Sequence, residues 1–166
     1  MKLVFAYECY ADRDVLRFLR ETVKRPLEDS HKFGQGAVVN ALLVKKTVRV
    51  GMVDEDPRSS HHRLRDDMAV LRTTADFELR ESDGRYLAIL KPELEAAFLR
   101  SITLLRIKTS LPDDSSTLRR VLQERNSSLH DVFIRTLRQL YAEARERGKS
   151  IFLTDLVAML EKVPRE

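Results

Sequence analysis

Cysteine is almost missing from this chain: Cys9 stands alone. A single cysteine excludes an intrachain disulfide and a cysteine-based zinc site. No apolar run approaches the length needed to span a bilayer. The opening segment, Met1 to Tyr7, is too short for a secretory signal and leads straight into polar sequence. Internal repeats, low-complexity segments, a lysine tail and a long basic stripe are also lacking. These absences predict a soluble protein of a reducing, cytoplasmic compartment with no membrane attachment. What is present supports a folded domain. The 166 residues favour one domain with, at most, a small helical appendage, and 43% apolar residues suffice for a core. Charged residues make up 34% and leave a net charge of +4, a mixed surface that admits a polyanionic partner without demanding one.

The apolar run Lys2 to Tyr7 reads as a first strand and ends at Glu8. Ala11 to Val23 has the apolar spacing of a helix, with Asp12 as its cap. Lys24 to Phe33 is a polar connection with a short strand near His31. Gly34 and Gly36 then precede a buried helix over Ala37 to Lys46. Glycines there let backbone N–H groups approach an anion at the helix's positive end. Met68 to Leu71 reads as another short strand. Phe77 to Ser82 and Arg85 to Leu90 flank Asp83-Gly84, a two-residue hairpin signal. Glu93 to Lys108 reads as a helix. From Leu111 onward the pattern is only helical: one helix through Gln123, one from Asn126 or Ser127 to about Arg147, and one capped by Thr154. Leu129, Val132, Phe133, Leu137 and Leu140 form one apolar stripe, to be buried against the sheet or a second copy. The order of elements predicts an α/β fold: a compact, mostly parallel sheet flanked by helices over residues 1–110. A C-terminal helical extension over 111–166 packs on it or on a partner.

The run from Val48 to Pro57 carries the chemistry. Its β-branched residues suit a strand buried on both faces, and Pro57 should end it at about Asp56. Side chains alternate along a strand, so Asp54 and Asp56 point to one side and Glu55 to the other. In open α/β sheets, ligands bind at the carboxyl ends of strands. Two carboxylates so close are costly unless a cation lies between them. The bland alternative is a polar strand end followed by an acidic turn. Glu8, at the carboxyl edge of the first strand, is either a partner of that pair or a solvated loop acid. The adjacent His61 and His62 read as part of a surface loop rather than as zinc ligands.

Three segments together resemble Toprim domains. Phe5-Ala6-Tyr7-Glu8-Cys9-Tyr10-Ala11-Asp12 looks like the Toprim strand–glutamate–helix motif, with Cys9 where the family commonly has glycine. Val50-Gly51-Met52-Val53-Asp54-Glu55-Asp56 is similar to the Toprim Asp-x-Asp strand. Ile89-Leu90-Lys91-Pro92-Glu93-Leu94-Glu95 is similar to a Pro-x-x-Glu segment of small stand-alone members. The resemblance covers roughly residues 1 to 100 and implies a Toprim-like sheet and a magnesium site for phosphoryl transfer on DNA or RNA. On that reading Asp54 and Asp56 hold Mg²⁺, or Mn²⁺ in its place, and Glu8 is a third ligand or the general acid/base. Glu95 joins a second metal site or is an ordinary exposed helix acid. Lys32, Arg58 and Arg63, with Gly34 and Gly36, are the candidate phosphate contacts. The implied function is a small metal-dependent nuclease. The competing reading is a non-catalytic module that binds nucleotide, nucleic acid or protein, its helical tail contacting a second copy or a protein partner.

Overall fold

The computed structural model describes residues 3–44, 47–55 and 66–164. Six strands form one mixed sheet in the order β2-β1-β3-β6-β5-β4. Its parallel part is β2 (Leu27–His31), β1 (Leu3–Tyr7), β3 (Val48–Asp54) and β6 (Arg85–Leu90). The hairpin of β5 (Phe77–Ser82) with β6 turns at Asp83 and Gly84, both at positive φ, and β4 (Ala69–Thr73) adds antiparallel to β5 at the edge. An Asp-Gly pair is suited to that turn because glycine takes a left-handed conformation at no steric cost.

From β1 the chain passes through α1 (Tyr10–Val23) to β2 on one side, then through α2 (Gln35–Val44) back across β1 to β3 on the other. Right-handed crossovers running in opposite directions place their helices on opposite faces of the sheet. The core divides accordingly. Val50, Met52, Ala88 and Leu90 face α1, while Val53, Leu87 and Ile89 face α2 with Val38 and Leu42. Gly51 lets α2 lie close, since an added Cβ would come within 3.0 Å of Val38. The strand order therefore reverses between β1 and β3, the place where open α/β sheets form a crevice at their carboxyl edge.

Four further helices, α3 (Leu94–Leu105), α4 (Ser115–Gln123), α5 (Leu129–Glu146) and α6 (Phe152–Lys162), cover the α1 face. Leu111, Leu118, Leu122, Phe133, Leu137 and Leu140 belong to the same apolar cluster as Phe5, Met52 and Phe77. Of the expected α5 stripe, Phe133, Leu137 and Leu140 are buried, and Leu129 and Val132 are partly buried against that cluster. No helix among the described residues is long and apolar enough to cross a membrane.

Among the boundaries that differ from expectation, three show their cause. Strand β3 ends at Asp54, two residues before the expected Asp56. Its neighbour β1 has already stopped at Tyr7, so the Asp54 N–H turns to the Glu8 side chain, while Glu55 N–H still reaches the Leu90 carbonyl. Asp12 and Thr154 each lie one turn inside their helices and reach back to the cap amides, rather than standing at the cap themselves.

Candidate functional site

The β1–β3 switch point is built by side chains that meet from four directions. Asp54 closes β3 on the face that also carries Val50 and Met52. Its Oδ1 accepts a hydrogen bond of 2.8 Å from the Leu94 N–H, the first amide of α3. A carboxylate at a helix N-terminus satisfies an otherwise orphaned donor and opposes the positive end of the helix dipole. From β1, Glu8 Oε2 accepts the Asp54 N–H at 3.1 Å, which links the two strand-end acids directly. From α2, Gln35 Nε2 donates to the Asp54 carbonyl at 2.8 Å.

The fourth direction is the helical tail. Leu118, completely buried, anchors α4, and Asp114 caps it by accepting the Thr117 N–H at 2.8 Å. The next residue, Arg119, reaches the acids: Nη2 donates to Asp54 Oδ2 at 3.2 Å, and Nη1 pairs with Glu93 Oε2 at 2.9 Å. Burial alone would lower the Arg119 pKa, but the charges of Glu93, Glu95 and Asp54 outweigh it and raise it.

Negative charge is concentrated here beyond what Arg119 balances. Asp12 is buried, and its Oδ2 accepts the N–H groups of Glu8 and Cys9, both at 3.0 Å. Burial, then the Asp54 and Glu8 charges, push its carboxyl well above the usual range despite those two bonds. Burial raises Asp54 to about 6, against the Leu94 amide and the Arg119 guanidinium. Glu95, the second residue of α3, is only 2% exposed and rises to about 7 through burial and the Asp54 charge. Glu95 Oε2 is buried with no hydrogen-bond partner among the described residues. Such an atom is expensive to leave unpaired. Cys9 is pushed strongly up by burial and by Asp12, so it stays a thiol and is not an activated nucleophile. Its φ of −136° is extended backbone, which needs no glycine. The amide that could approach an anion is instead engaged by Asp12.

Of the residues expected from sequence, Glu8, Asp54 and Glu95 are brought together. Glu95 is not the exposed helix acid of the bland alternative, because α3 starts against β3 and buries its first turn. Gly34, at φ +86°, starts α2 by accepting the Ala37 and Val38 N–H groups, and Gly36 lies inside that helix. The Lys32 N–H extends the β1–β2 ladder to the Tyr7 carbonyl. Asp56, Arg58, His61, His62 and Arg63 lie outside the described residues. Sequence reasoning missed Arg119, Glu93 and Gln35. Gln35 sits between Gly34 and Gly36, but nothing local distinguishes Arg119 from the other charges of an amphipathic helix. The acids gathered here are Asp54, Glu95 and Glu8, with the Cys9 thiol close enough to feel Asp54 and Glu95. Among the described residues, no group of three acids, histidines or cysteines forms a ready-made coordination shell. No family model, curated protein or solved structure matches this chain.

Proposed function

We propose that the chain is a small Toprim-like nuclease or related phosphoryl-transfer enzyme that acts on DNA or RNA with Mg²⁺, or with Mn²⁺ in its place. The observation that carries this reading is the buried, unpartnered Glu95 Oε2 beside Asp54 at the switch point, where Glu8 also arrives. Carboxylate oxygens gathered in one place fit a hard cation. Asp54 and Glu95, with Asp56 following in sequence, would hold the ion. When bound, it neutralises charge on a phosphate and lowers the pKa of a water. Glu8 comes from the other strand and is oriented by the Asp54 N–H, which suits it to hold or move a proton. Arg119 retains Glu93 as an anchor and offers a planar guanidinium for a phosphate oxygen.

A second reading is favoured by a specific contact. Arg119 already neutralises Asp54, so the site can be a closed ion pair within a module that binds nucleotide, nucleic acid or a protein partner without cleaving. One experiment separates the two: incubation with labelled DNA and RNA, single-stranded and duplex, in Mg²⁺, Mn²⁺ or EDTA. Cleavage that needs the metal and disappears in Asp54→Asn supports the enzyme. A wild-type protein that cleaves none of these with either ion leaves the binding module.

A further inference from the structure

A second cluster lies on the same edge of the sheet, and the acid chemistry does not use it. The parallel register pairs Tyr7 at the end of β1 with His31 at the end of β2. Their rings stack, with centroids 5.3 Å apart and planes 20° from parallel. Tyr10, which opens α1, brings its ring to 6.0 Å from His31, and Phe33 brings its own to 4.9 Å. The Arg13 guanidinium lies over the Tyr10 ring, 5.0 Å from its centroid. Together these rings form a ladder that starts inside the protein at Tyr7 and ends in solvent at Phe33, which is 87% exposed.

The ladder is tied to the acid site. His31 Nε2 lies 2.7 Å from the Glu8 carbonyl. A carbonyl only accepts, so Nε2 carries the proton and the ring is held in place. One lone exposed phenylalanine would need no explanation. A fixed series of π faces that begins at Tyr7, the residue before the strand-end acid Glu8, does. On β2, Asp29 is already paired with Arg20 at 3.0 Å and accepts the Tyr7 hydroxyl at 3.3 Å. Arg13 and Lys32 flank the rings in sequence.

We propose that Phe33, His31 and Tyr10, flanked by Arg13 and Lys32, form a stacking platform for the bases of single-stranded nucleic acid entering the Glu8–Asp54 site. The proposal rests on the nucleic-acid reading above and narrows its substrate to unpaired strands. Bases in a duplex already stack on each other, whereas a single strand exposes π faces to aromatic side chains without sequence preference. Cations beside the rings then hold the phosphates.

The test is a binding measurement in EDTA, so that no cleavage is required. Fluorescence anisotropy compares labelled oligo-dT of about 12 nucleotides, within the usual site size of such platforms, its duplex with oligo-dA, and an abasic strand of equal length. Wild type should bind oligo-dT more tightly than the duplex or the abasic strand. Phe33→Ala should weaken oligo-dT binding by about 10- to 100-fold and leave duplex binding unchanged, while Phe33→Trp should keep it. Equal affinity for oligo-dT and the abasic strand, no effect of Phe33→Ala, or no binding of oligo-dT overturns the platform. The two proposals fail separately. Binding through Phe33 without cleavage in either metal sinks the nuclease alone, and metal-dependent duplex cleavage indifferent to Phe33 sinks the platform alone.

Discussion

The acid pocket and the aromatic ladder share one edge of the sheet and break the usual partition of side chains in opposite senses. In the pocket, Glu95 is a carboxylate 2% exposed with an unpartnered oxygen; on the ladder, Phe33 is an apolar ring 87% exposed. The pocket stores electrostatic cost, because burial and neighbouring charge oppose ionisation. The ladder leaves apolar surface in water that a bound base would cover. Both costs fall at the carboxyl edge of the parallel strands, the pocket between β1 and β3 and the ladder at the ends of β1 and β2, so neither arises from a failure of the core, whose residues on both faces are buried. What distinguishes the regions is the ligand each would take: a cation in one, a base in the other.

The largest expected effect tests the pocket half of that contrast. On the proposed reading, Asp54→Asn reduces metal-dependent cleavage to the level seen in EDTA and weakens Mg²⁺ binding by calorimetry. Equal metal binding by both proteins would remove Asp54 from the site. Next, Glu8→Gln keeps appreciable metal affinity but lowers the cleavage rate by about 10²–10⁴-fold, the span of a general acid/base. A fully active Glu8→Gln would reduce Glu8 to a strut for the Asp54 amide.

A third prediction concerns pH. The Glu95 carboxyl is raised from 4.5 to about 7 by burial and by Asp54. Below about pH 4.5, folded and unfolded chains both carry the proton and the stability is fully present. As pH rises towards 7, only the folded chain retains the proton, so stability falls and levels off above that pH. The Glu95 share is on the order of 3 kcal/mol at most. Urea unfolding in EDTA at pH 5 and pH 8 should show the loss in wild type and a much smaller one in Glu95→Gln. A wild type equally stable at both would mean that Glu95 is not held protonated. The smallest effect is expected at Arg119. Its ion pairs are 44% exposed on the arginine side, so Arg119→Gln should cost under about 1 kcal/mol of stability. On the proposed reading it should also raise Mg²⁺ affinity a few-fold by freeing Asp54. An unchanged affinity would show that arginine and metal do not compete.

Much of the framework was readable from local pattern. The hairpin at Asp83-Gly84 follows from turn chemistry, the short strand near His31 from punctuation by Pro26 and Gly34, and β1 and β3 from apolar runs ended by acids. The strand end at Asp54 was misplaced because Pro57 marks where a ladder must stop, not where neighbouring strands have already stopped. The burial of Glu95 was not readable, since an acid in the first turn of a helix is ordinarily solvated and stabilises the helix there.

Which residue types stand at the strand ends follows from local sequence, because a period of two and a terminating acid or proline are properties of a few consecutive residues. Local pattern also makes the chain after Leu111 helical with an apolar stripe. The assembled fold is what brings Arg119 to Asp54, 65 residues away, and stacks Tyr7 on His31 through the register of β1 with β2. Those meetings depend on which face each crossover takes and how α4 is anchored by Leu118. Such choices are made by packing summed over the whole sheet, and no local window contains them.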